Sequence, residues 1–319
     1  MSDQAPEPTR QTQSYLRKLF DGRGLAPRHR LGQNFLIDLN IHDLIVDQAA
    51  VEPGDVVLEV GPGAGALTSL MASRGARVLA VEIDPGMASL TSEAVAAFGN
   101  ARVLNIDALA GKHAVAPEVL ETLDQGREGG PFKLVANLPY NIATPLIMNL
   151  MVDDANRPIL AVVTIQKELG ERMIARPGDS DNSALSVLLQ ALAEIEIART
   201  LPPSVFWPRP KVDSAVVVIR PDPAKREAVG DIAWFHRIVR EVFLYRRKVV
   251  RVVLAKMAPK GVSKSDVDAL LQSLAIDGGL RAEALEVPQW IALAKALKTS
   301  WGAVAPIDVE VEEEGESGG

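Results

Sequence analysis

The fold is decided by the stretch Val56-Val57-Leu58-Glu59-Val60-Gly61-Pro62-Gly63-Ala64-Gly65, in which a short apolar run passes directly into a glycine-rich turn. The apolar run has the length of a buried strand. The glycines allow a tight turn and let the backbone approach a ligand closely. Residues 67–71 then read as the start of a helix. This order of strand, turn and helix predicts a ligand site at the edge of an α/β sheet.

Further short apolar runs alternate with helix-like stretches along the chain. They are residues 77–81, 101–105, 133–136 and 160–165. This rhythm predicts a mostly parallel sheet. Two later runs, 191–199 and 214–219, are short neighbours and favour an antiparallel edge to that sheet.

Beyond Pro221 the pattern changes to helices, without a convincing strand, and the expected helices span 232–257, 263–274 and 287–297. We therefore divide the chain into segments. They are a disordered N-terminal extension at 1–28, a catalytic α/β domain at 29–221, a smaller all-helical domain at 222–303 and an acidic disordered tail at 304–319. Both ends are assigned as disordered because neither has apolar periodicity.

The composition excludes several classes of protein. With 319 residues, 47% of them hydrophobic, the chain can bury a core and support a smaller second unit. It has no cysteine, which excludes disulfides and thiolate metal sites. His29, His42, His113 and His236 show no ligand-like spacing, so we expect no metal. The polar N-terminus resembles neither a signal peptide nor a membrane span, which favours a cytoplasmic protein.

Acidic residues after two of the strand-like runs indicate a nucleoside-containing ligand. Glu82 is placed to accept hydrogen bonds from two ribose hydroxyls. Asp107 can accept from an exocyclic amine, although an Asp in such a place is also a common helix cap. With Ala66 as the last small residue, the turn also fits the G-x-G-x-x-A pattern of nicotinamide cofactor sites, so an oxidoreductase remains an alternative, as does a turn without any ligand.

Asn137-Leu138-Pro139-Tyr140 follows the run at 133–136, where the fourth strand should end. The amino nitrogen of adenine is a poor nucleophile because its lone pair is delocalised into the ring. The Asn137 side-chain oxygen and the Leu138 carbonyl can each accept one N–H and so hold that nitrogen in line with the methyl group of S-adenosylmethionine. Pro139 would stiffen the turn, and Tyr140 would stack on an extruded base. A plain Asn-x-Pro turn with a buried tyrosine is the alternative.

Two longer motifs extend this pattern. They are Leu31-Gly32-Gln33-Asn34-Phe35-Leu36-Ile37-Asp38 and Val205-Phe206-Trp207-Pro208-Arg209-Pro210-Lys211-Val212-Asp213-Ser214-Ala215. With Asn137 to Tyr140 they resemble the ribosomal RNA adenine dimethyltransferase family over residues 29–300. Residues 245–248 (Tyr-Arg-Arg-Lys) and 281–283 (Arg-Ala-Glu) look more like its small-subunit branch.

The resemblance implies an α/β fold with the Rossmann-like sheet of a class I S-adenosylmethionine-dependent methyltransferase and an all-helical, RNA-binding C-terminal domain. It also implies a monomeric enzyme that dimethylates two adjacent adenines in a 3′-terminal hairpin loop of small-subunit ribosomal RNA, within the immature subunit. Large-subunit methylation and non-catalytic RNA or DNA binding remain alternatives, because related proteins share the fold.

The resemblance also assigns site residues. The positions that it implies for S-adenosylmethionine are Asn34, Leu36, Gly61, Glu82, Asp107 and Asn137. Those that it implies for the target adenine are Asn137, Leu138, Tyr140 and, as a second stacking aromatic, Phe206. The chain departs from the family where Asn182-Ser183-Ala184 replaces a usual Tyr-Gly, where Ile106 replaces a Gly, and in an enlarged loop at 111–130.

The charge distribution bears on the RNA partner. The net charge is −7, but residues 304–319 hold six acidic side chains and leave the rest of the chain close to neutral. Local clusters of Lys and Arg therefore decide where phosphates bind. One basic face of the helix expected at 232–257 would carry Arg237, Arg240, Arg247 and Arg251. Further positive charge near the site would come from Lys167, Arg172, Arg176, Arg209 and Lys211.

Overall fold

The computed structural model describes residues 8, 10–111 and 114–302, so His113 and the tail at 304–319 lie outside the described residues. The chain divides into two compact units. The first comprises Met1–Ala175 and Leu192–Glu227, and the second comprises Arg176–Ala191 and Ala228–Gly319. The catalytic domain that we expected at 29–221 is thus interrupted by the segment 176–191. That segment joins the second unit because its helix packs there through buried Val187, Leu188 and Leu189.

All strands of the described residues belong to the first unit. They are β1 (Phe35–Leu36), β2 (Val56–Val60), β3 (Arg77–Val81), β4 (Ala101–Leu104), β5 (Lys133–Asn137), β6 (Leu160–Gln166), β7 (Ala193–Leu201), β8 (Phe206–Trp207) and β9 (Ser214–Pro221). Seven of them form one sheet in the order β4-β3-β2-β5-β6-β9-β7.

The sheet confirms the expected mixture of parallel and antiparallel pairs. The strands β4, β3, β2, β5 and β6 run parallel, and β9 pairs antiparallel with both β6 and β7. The strand order reverses between β2 and β5, and ligands of open α/β sheets bind at the carboxyl ends of the strands beside such a switch point. The separate pair of β1 with β8 was not expected from the sequence.

The helices begin after loops, and a side chain caps the first turn of some of them. They are α1 (Gln13–Arg23), α2 (Leu39–Gln48), α3 (Ala66–Ser73), α4 (Pro85–Ala94), α5 (Pro117–Arg127), α6 (Tyr140–Val152), α7 (Lys167–Met173), α8 (Ala184–Gln190), α9 (Pro223–Val229), α10 (Ile232–Phe243), α11 (Val250–Met257), α12 (Lys264–Ser273) and α13 (Val287–Trp301). Helix α4 illustrates the local rule, since the Asp84 side chain accepts from the amides of Gly86 and Met87 and Pro85 occupies the first turn.

The expectation that residues 1–28 are disordered is wrong for the part that the structure describes as a helix. Helix α1 is capped by the Thr12 hydroxyl. Its Leu16 and Phe20, four residues apart, share one face and are fully buried with Phe35 and Met87 of the first unit. Tertiary burial of this short apolar stripe, which gave too weak a periodicity on its own, stabilises the helix.

The single helix expected at 232–257 is also wrong, because α10 ends at Phe243 and α11 begins at Val250. The amide of Val250 donates to the Leu280 carbonyl at 2.8 Å, and that of Arg251 donates to the Gly278 carbonyl at 3.2 Å. These bonds replace the ones that would continue a helix. The four arginines expected on one helical face therefore lie on two helices and the turn between them.

No described helix has both the length and the apolar character needed to cross a bilayer. Nor do the described His, Asp and Glu residues form a group of three or more arranged to hold a metal ion.

Candidate active site

A cavity opens in the first unit where β2, β3 and β5 end. It encloses about 1060 Å³ of empty space, open solvent included. Its walls come from the glycine turn after β2, the residues that follow β3, β4 and β5, and the Gly32 to Leu36 segment. The cavity therefore brings together most of the residues that the sequence singled out, at the switch point of the sheet.

The glycine turn is shaped for close approach. Gly61, Gly63 and Gly65 have φ values of 75°, 61° and 82°, which side-chain-bearing residues rarely adopt. A Cβ on Gly61 would lie 2.7 Å from Cδ of Pro139, and one on Gly63 would lie 2.9 Å from the ring of Phe35. Glycine is thus required at all three positions for the positive φ values. At Gly61 it is also required for the contact between the glycine turn and Pro139 after β5.

Glu82 directly follows β3 and is 5% exposed. Its Oε2 accepts from the Gly63 amide at 3.3 Å, and its Oε1 accepts from the Asp84 amide at 2.9 Å. Burial raises the pKa of this carboxyl, and these backbone donors oppose the rise. The side chain is thereby fixed at the cavity wall, with further lone pairs for ligand hydroxyls.

Asp107 lies beyond the end of β4 and lines the same cavity. Its Oδ1 accepts from the Leu109 amide at 2.9 Å, and among the described residues its Oδ2 has no donor. Ile83 and Ile106 line the cavity beside it, and Ile83 is 47% exposed although apolar. An acceptor flanked by apolar side chains suits a planar ring that bears an amino group.

Asn137 is the last residue of β5, and its amide is oriented by a single contact. Its Nδ2 donates to the Asn34 carbonyl at 3.0 Å. A carbonyl only accepts, so this contact identifies which amide atom is the nitrogen and leaves Oδ1 as the other end. Among the described residues no donor reaches Asn137 Oδ1 or the Leu138 carbonyl oxygen. The turn therefore presents two acceptors that lack protein partners.

Tyr140 begins α6 and also lines the cavity. Its hydroxyl lies 2.7 Å from Oγ of Ser214, which fixes the ring. Burial raises its pKa, so the group stays a neutral phenol at physiological pH. Asn34 and Leu36 line the cavity as well. The Asn34 side chain donates to the Gly32 carbonyl at 3.2 Å, and Leu36 is a buried residue of β1.

Phe206 is the expected site residue that the cavity does not include. It is 1% exposed and packs within the hydrophobic core, and β8 pairs it with Leu36 of β1. The second stacking role that we expected for Phe206 is therefore not supported, because its ring faces the core rather than the cavity. In the sequence, an aromatic residue within a long motif looks the same whether its ring lies in the core or in the cavity.

Two buried titratable residues of the cavity were missed in the sequence. Glu59, on β2, is 2% exposed, and Thr68 donates to its Oε2 at 2.6 Å. Desolvation raises the pKa of Glu59 to about 8, with the nearby Glu82 charge adding to the rise. His42, on α2, is 6% exposed, and burial lowers its pKa to about 4. Both side chains are therefore mostly uncharged near neutral pH. Each lies in an apolar run of the sequence, a pattern typical of the core, and so neither was predicted as a site residue.

The cavity's donor and acceptor set fits S-adenosylmethionine. Acceptors for ribose hydroxyls and for an adenine amine lie at the ends of β3 and β4, and the glycine turn leaves a cradle that a Cβ would fill. The two acceptors without protein partners lie at the end of β5 and suit an amino group of a second molecule. The strand order also departs from the 3-2-1-4-5-6 order of dinucleotide-binding domains, because the antiparallel β9 is inserted between β6 and β7.

Comparisons with known proteins agree with this geometry. The model of the family described as ribosomal RNA adenine dimethylase matches residues 24–299. The protein named ribosomal RNA small subunit methyltransferase A of Pelotomaculum thermopropionicum is 38% identical over 290 residues, which cover 90% of this chain and 97% of that protein. The protein of the same name from Geobacillus kaustophilus is 36% identical, covering 90% and 96% of the two chains.

Solved structures show the same fold. A dimethyladenosine transferase from Plasmodium falciparum superposes with a TM-score of 0.68 at 25% identity and covers 82% of this chain and 96% of its own. The 23S rRNA methyltransferase ErmE superposes with a TM-score of 0.60 at 28% identity and covers 83% and 100%. The class I methyltransferase fold and the S-adenosylmethionine cofactor are thereby established, which rules out the nicotinamide alternative.

Proposed function

The chain belongs to the ribosomal RNA adenine dimethylase family, and from that premise we propose that it dimethylates the N6 amino groups of two adjacent adenines in a 3′-terminal hairpin loop of small-subunit ribosomal RNA. It is an S-adenosylmethionine-dependent rRNA adenine dimethyltransferase. The small-subunit substrate is supported by the names of relatives that are 36–38% identical over most of both chains. The immature subunit as target, a monomeric enzyme and a cytoplasmic location complete the proposal.

The observation that carries the proposal is the orientation of Asn137. The Asn34 carbonyl accepts a hydrogen bond from Asn137 Nδ2, so Asn137 Oδ1 points away from that carbonyl. With the Leu138 carbonyl, Oδ1 makes a pair of acceptors for the two N–H groups of one amino nitrogen. An amino group held by both hydrogens has its lone pair oriented, and the acceptors stabilise positive charge as it develops on nitrogen.

The cofactor, when bound, supplies an electrophilic methyl group. For its adenosine part we propose that Glu82 accepts from the ribose hydroxyls, Asp107 accepts from the adenine amine, and Ile83 and Ile106 cover the ring. Gly61 allows the ligand to lie against the backbone of the turn, and Asn34, Leu36 and Asn137 complete the wall. After transfer the cationic amino nitrogen loses a proton, and we assign no side chain to this step because the proton of an N-alkylated aromatic amine is acidic enough for water to accept.

Tyr140 provides the surface for the target base. Its ring is fixed by Ser214 at the cavity wall. Stacking of a base on such a ring contributes roughly 1–3 kcal/mol in single-strand binders. A base paired within a duplex could not reach the turn after β5, so the substrate adenine must come from a loop or be extruded. A hairpin loop meets this requirement without the cost of breaking base pairs.

For the second unit we propose RNA binding through arginines that have no acidic partner. Arg240 and Arg247 are exposed and have no ion pair among the described residues. Arg251 is instead bound to Asp268 at 2.5 Å, and Arg237 to Glu241 at 2.8 Å. In the first unit Lys167 and Arg172 are likewise paired within α7, with Glu171 and Glu168. Exposed Arg176, in the second unit, and Arg209 and Lys211, in the first, form no ion pair in the described part of the chain and remain candidates.

One alternative has a specific observation in its favour. The solved structure of ErmE, whose title names 23S rRNA, is similar over its whole length. Its identity of 28% is lower than the 36–38% of the relatives named for the small subunit. The small-subunit substrate is therefore our conclusion, and large-subunit methylation is the competing outcome of the test.

The test offers isolated, unmethylated small and large ribosomal subunits to the full chain with radiolabelled S-adenosylmethionine. We expect label in small-subunit RNA at up to four methyl groups per subunit, since two adenines each take two. Label confined to the large subunit would support the alternative, and no label in either would overturn the proposed function.

A further inference from the structure

The short segment ahead of α1 brings one side chain to the cavity wall. Gln11 is 3% exposed and lines the cavity. Its Nε2 donates to the Ala64 carbonyl, in the glycine turn, at 2.6 Å. Since a carbonyl only accepts, this bond identifies the nitrogen end of the amide. Among the described residues no donor reaches the Oε1 end of this amide, whose residue lines the cavity.

This segment is held in place by packing. Phe20 of α1 contacts the ring of Phe35 at 5.2 Å between centroids and that of Trp207 at 5.5 Å. Leu16 is buried in the same cluster. The Arg23 side chain pairs with Glu93 of α4 at 2.6 Å. Residues 10–23 also precede the region matched by the family model, which begins at residue 24. Gln11 is therefore a fixed feature of this chain's site that the family model does not cover.

The place of Gln11 decides which part of the cofactor it meets. The proposed adenosine contacts lie at the ends of β3 and β4, and the methyl group must lie near Asn137 at the end of β5. The part of the cavity beside Ala64 is left for the amino-acid arm. The adjacent N-terminus of α3 has no side-chain cap and offers backbone amides to a carboxylate. The arm's ammonium group needs acceptors, and Gln11 Oε1 is an acceptor that no donor of the described residues reaches.

We propose that Gln11 is a binding residue for the amino-acid end of S-adenosylmethionine, with Oε1 accepting from the α-ammonium group while Nε2 holds the glycine turn. The inference rests on the proposed positions of the cofactor within the cavity. It gives the Oε1 end of a largely buried side chain a hydrogen-bond partner that the described residues do not supply.

The test compares ligands that share adenosine but differ in the arm. Full-length wild type and Gln11→Met are titrated calorimetrically with S-adenosylmethionine, S-adenosylhomocysteine and 5′-methylthioadenosine, which lacks the amino-acid arm. Methionine keeps the length of the side chain and removes both hydrogen-bonding ends. We expect roughly 10- to 100-fold weaker binding of the first two ligands, from the loss of one hydrogen bond to a charged group, and less than 2-fold for 5′-methylthioadenosine. Gln13→Met, in the first turn of α1, is the matched control and should change none of them.

A second variant separates ligand binding from support of the turn. Gln11→Glu keeps an acceptor but cannot donate to Ala64, so the ratio of the dissociation constants of 5′-methylthioadenosine and S-adenosylhomocysteine should stay close to that of wild type. This ratio does not depend on the folded fraction of a destabilised variant. Equal weakening of all three ligands by Gln11→Met, or no weakening, would overturn the proposal. Failure of wild type to bind any of the three would instead count against the proposed function itself.

Discussion

The carboxyl edge of the sheet in the first unit and the arginine-bearing helices of the second unit show two ways of building a binding surface. At the sheet edge, residues far apart in sequence converge because parallel strands end side by side, and Glu82, Asp107 and Asn137 all reach one cavity. In the second unit, residues close in sequence diverge. Arg237 and Arg251 lie on opposite sides of a helix break at 244–249, and Arg247 lies within the break.

The difference teaches where a sequence pattern can be trusted. A residue at the end of a parallel strand has its position fixed by the sheet, so the residues predicted to bind the cofactor line one cavity, and their contact with the cofactor stays a prediction. A residue on an extended helical pattern keeps its face only while the helix continues. At the break, the amides of Val250 and Arg251 donate to the carbonyls of Leu280 and Gly278 instead of continuing the helix. No residue near the break indicates this change in the sequence.

The largest effect that would break this comparison is expected at Asn137. Replacing Asn137 by Ala removes one of two acceptors for the amino group, and the single-turnover rate constant should fall by roughly 10²–10³-fold, as for loss of a comparable charge-stabilising contact. The measurement is single-turnover methylation of small subunits, with the cofactor dissociation constant determined in parallel. Asn40→Ala, on an exposed turn of α2, is the matched control. An Asn137→Ala variant with wild-type turnover would show that the edge does not hold the reacting nitrogen.

At Glu82 the expected effect is on cofactor binding. Glu82→Gln replaces a carboxylate that accepts from Gly63 and Asp84 and is proposed to accept from ribose hydroxyls. Loss of a hydrogen bond to a charged group costs about 1.5–3 kcal/mol, so calorimetry should show roughly 10- to 100-fold weaker binding of S-adenosylhomocysteine. The exposed Glu118→Gln on α5 should leave the affinity unchanged. If both variants bind equally well, Glu82 is not a ligand.

Glu59 and His42 give the edge a pH signature. With its pKa raised from 4.5 to about 8, Glu59 binds a proton in the folded chain that the unfolded chain has lost, so the free energy of unfolding falls as pH rises through that range. With its pKa lowered from 6.5 to about 4, His42 has the opposite effect between those values. The two oppose each other below pH 6.5, and above it Glu59 acts without that opposition.

We therefore expect the free energy of unfolding to fall by about 2 kcal/mol between pH 6.5 and 8 from Glu59 alone, at 1.36 kcal/mol per pKa unit. The raised pKa of Glu82 gives a slope of the same sign above the ordinary pKa of a glutamate. Urea denaturation of wild type and Glu59→Gln across this range provides the measurement, and the variant should show the flatter profile. Superimposable profiles would mean that Glu59 is ionised in the folded protein.

The smallest effect sharpens the other side of the comparison. Arg247→Ala removes a charge that has no acidic partner in the described part of the chain and should weaken RNA binding about 3- to 10-fold and reduce the salt slope by about 1. Arg251→Ala should do less, because Asp268 already neutralises that side chain. Both are measured by RNA titration at several salt concentrations. Equal effects would mean that the ion pair opens on binding and that pairing does not select the RNA contacts.

Most of the fold could be predicted because apolar runs of strand length alternate with helix-like stretches, which is the pattern of a mostly parallel sheet. Helix α1 could not, since Leu16 and Phe20 are stabilised by Phe35 and Met87, which no local pattern reveals. In the site, Glu82, Asp107 and Asn137 were found through their position after strands. Glu59 was not predicted as a site residue, because a single glutamate within an apolar run does not reveal that its carboxyl group is buried and neutral.

The central claim is that the edge of the sheet holds an exocyclic adenine nitrogen, and the position of the transferred methyl groups tests it most directly. Small-subunit RNA methylated by the full chain is digested to nucleosides and to mapped fragments and analysed by mass spectrometry. The account predicts N6,N6-dimethyladenosine at two adjacent adenines of a 3′-terminal hairpin loop. Methyl groups on a ring nitrogen, on a ribose hydroxyl or on another base would contradict it.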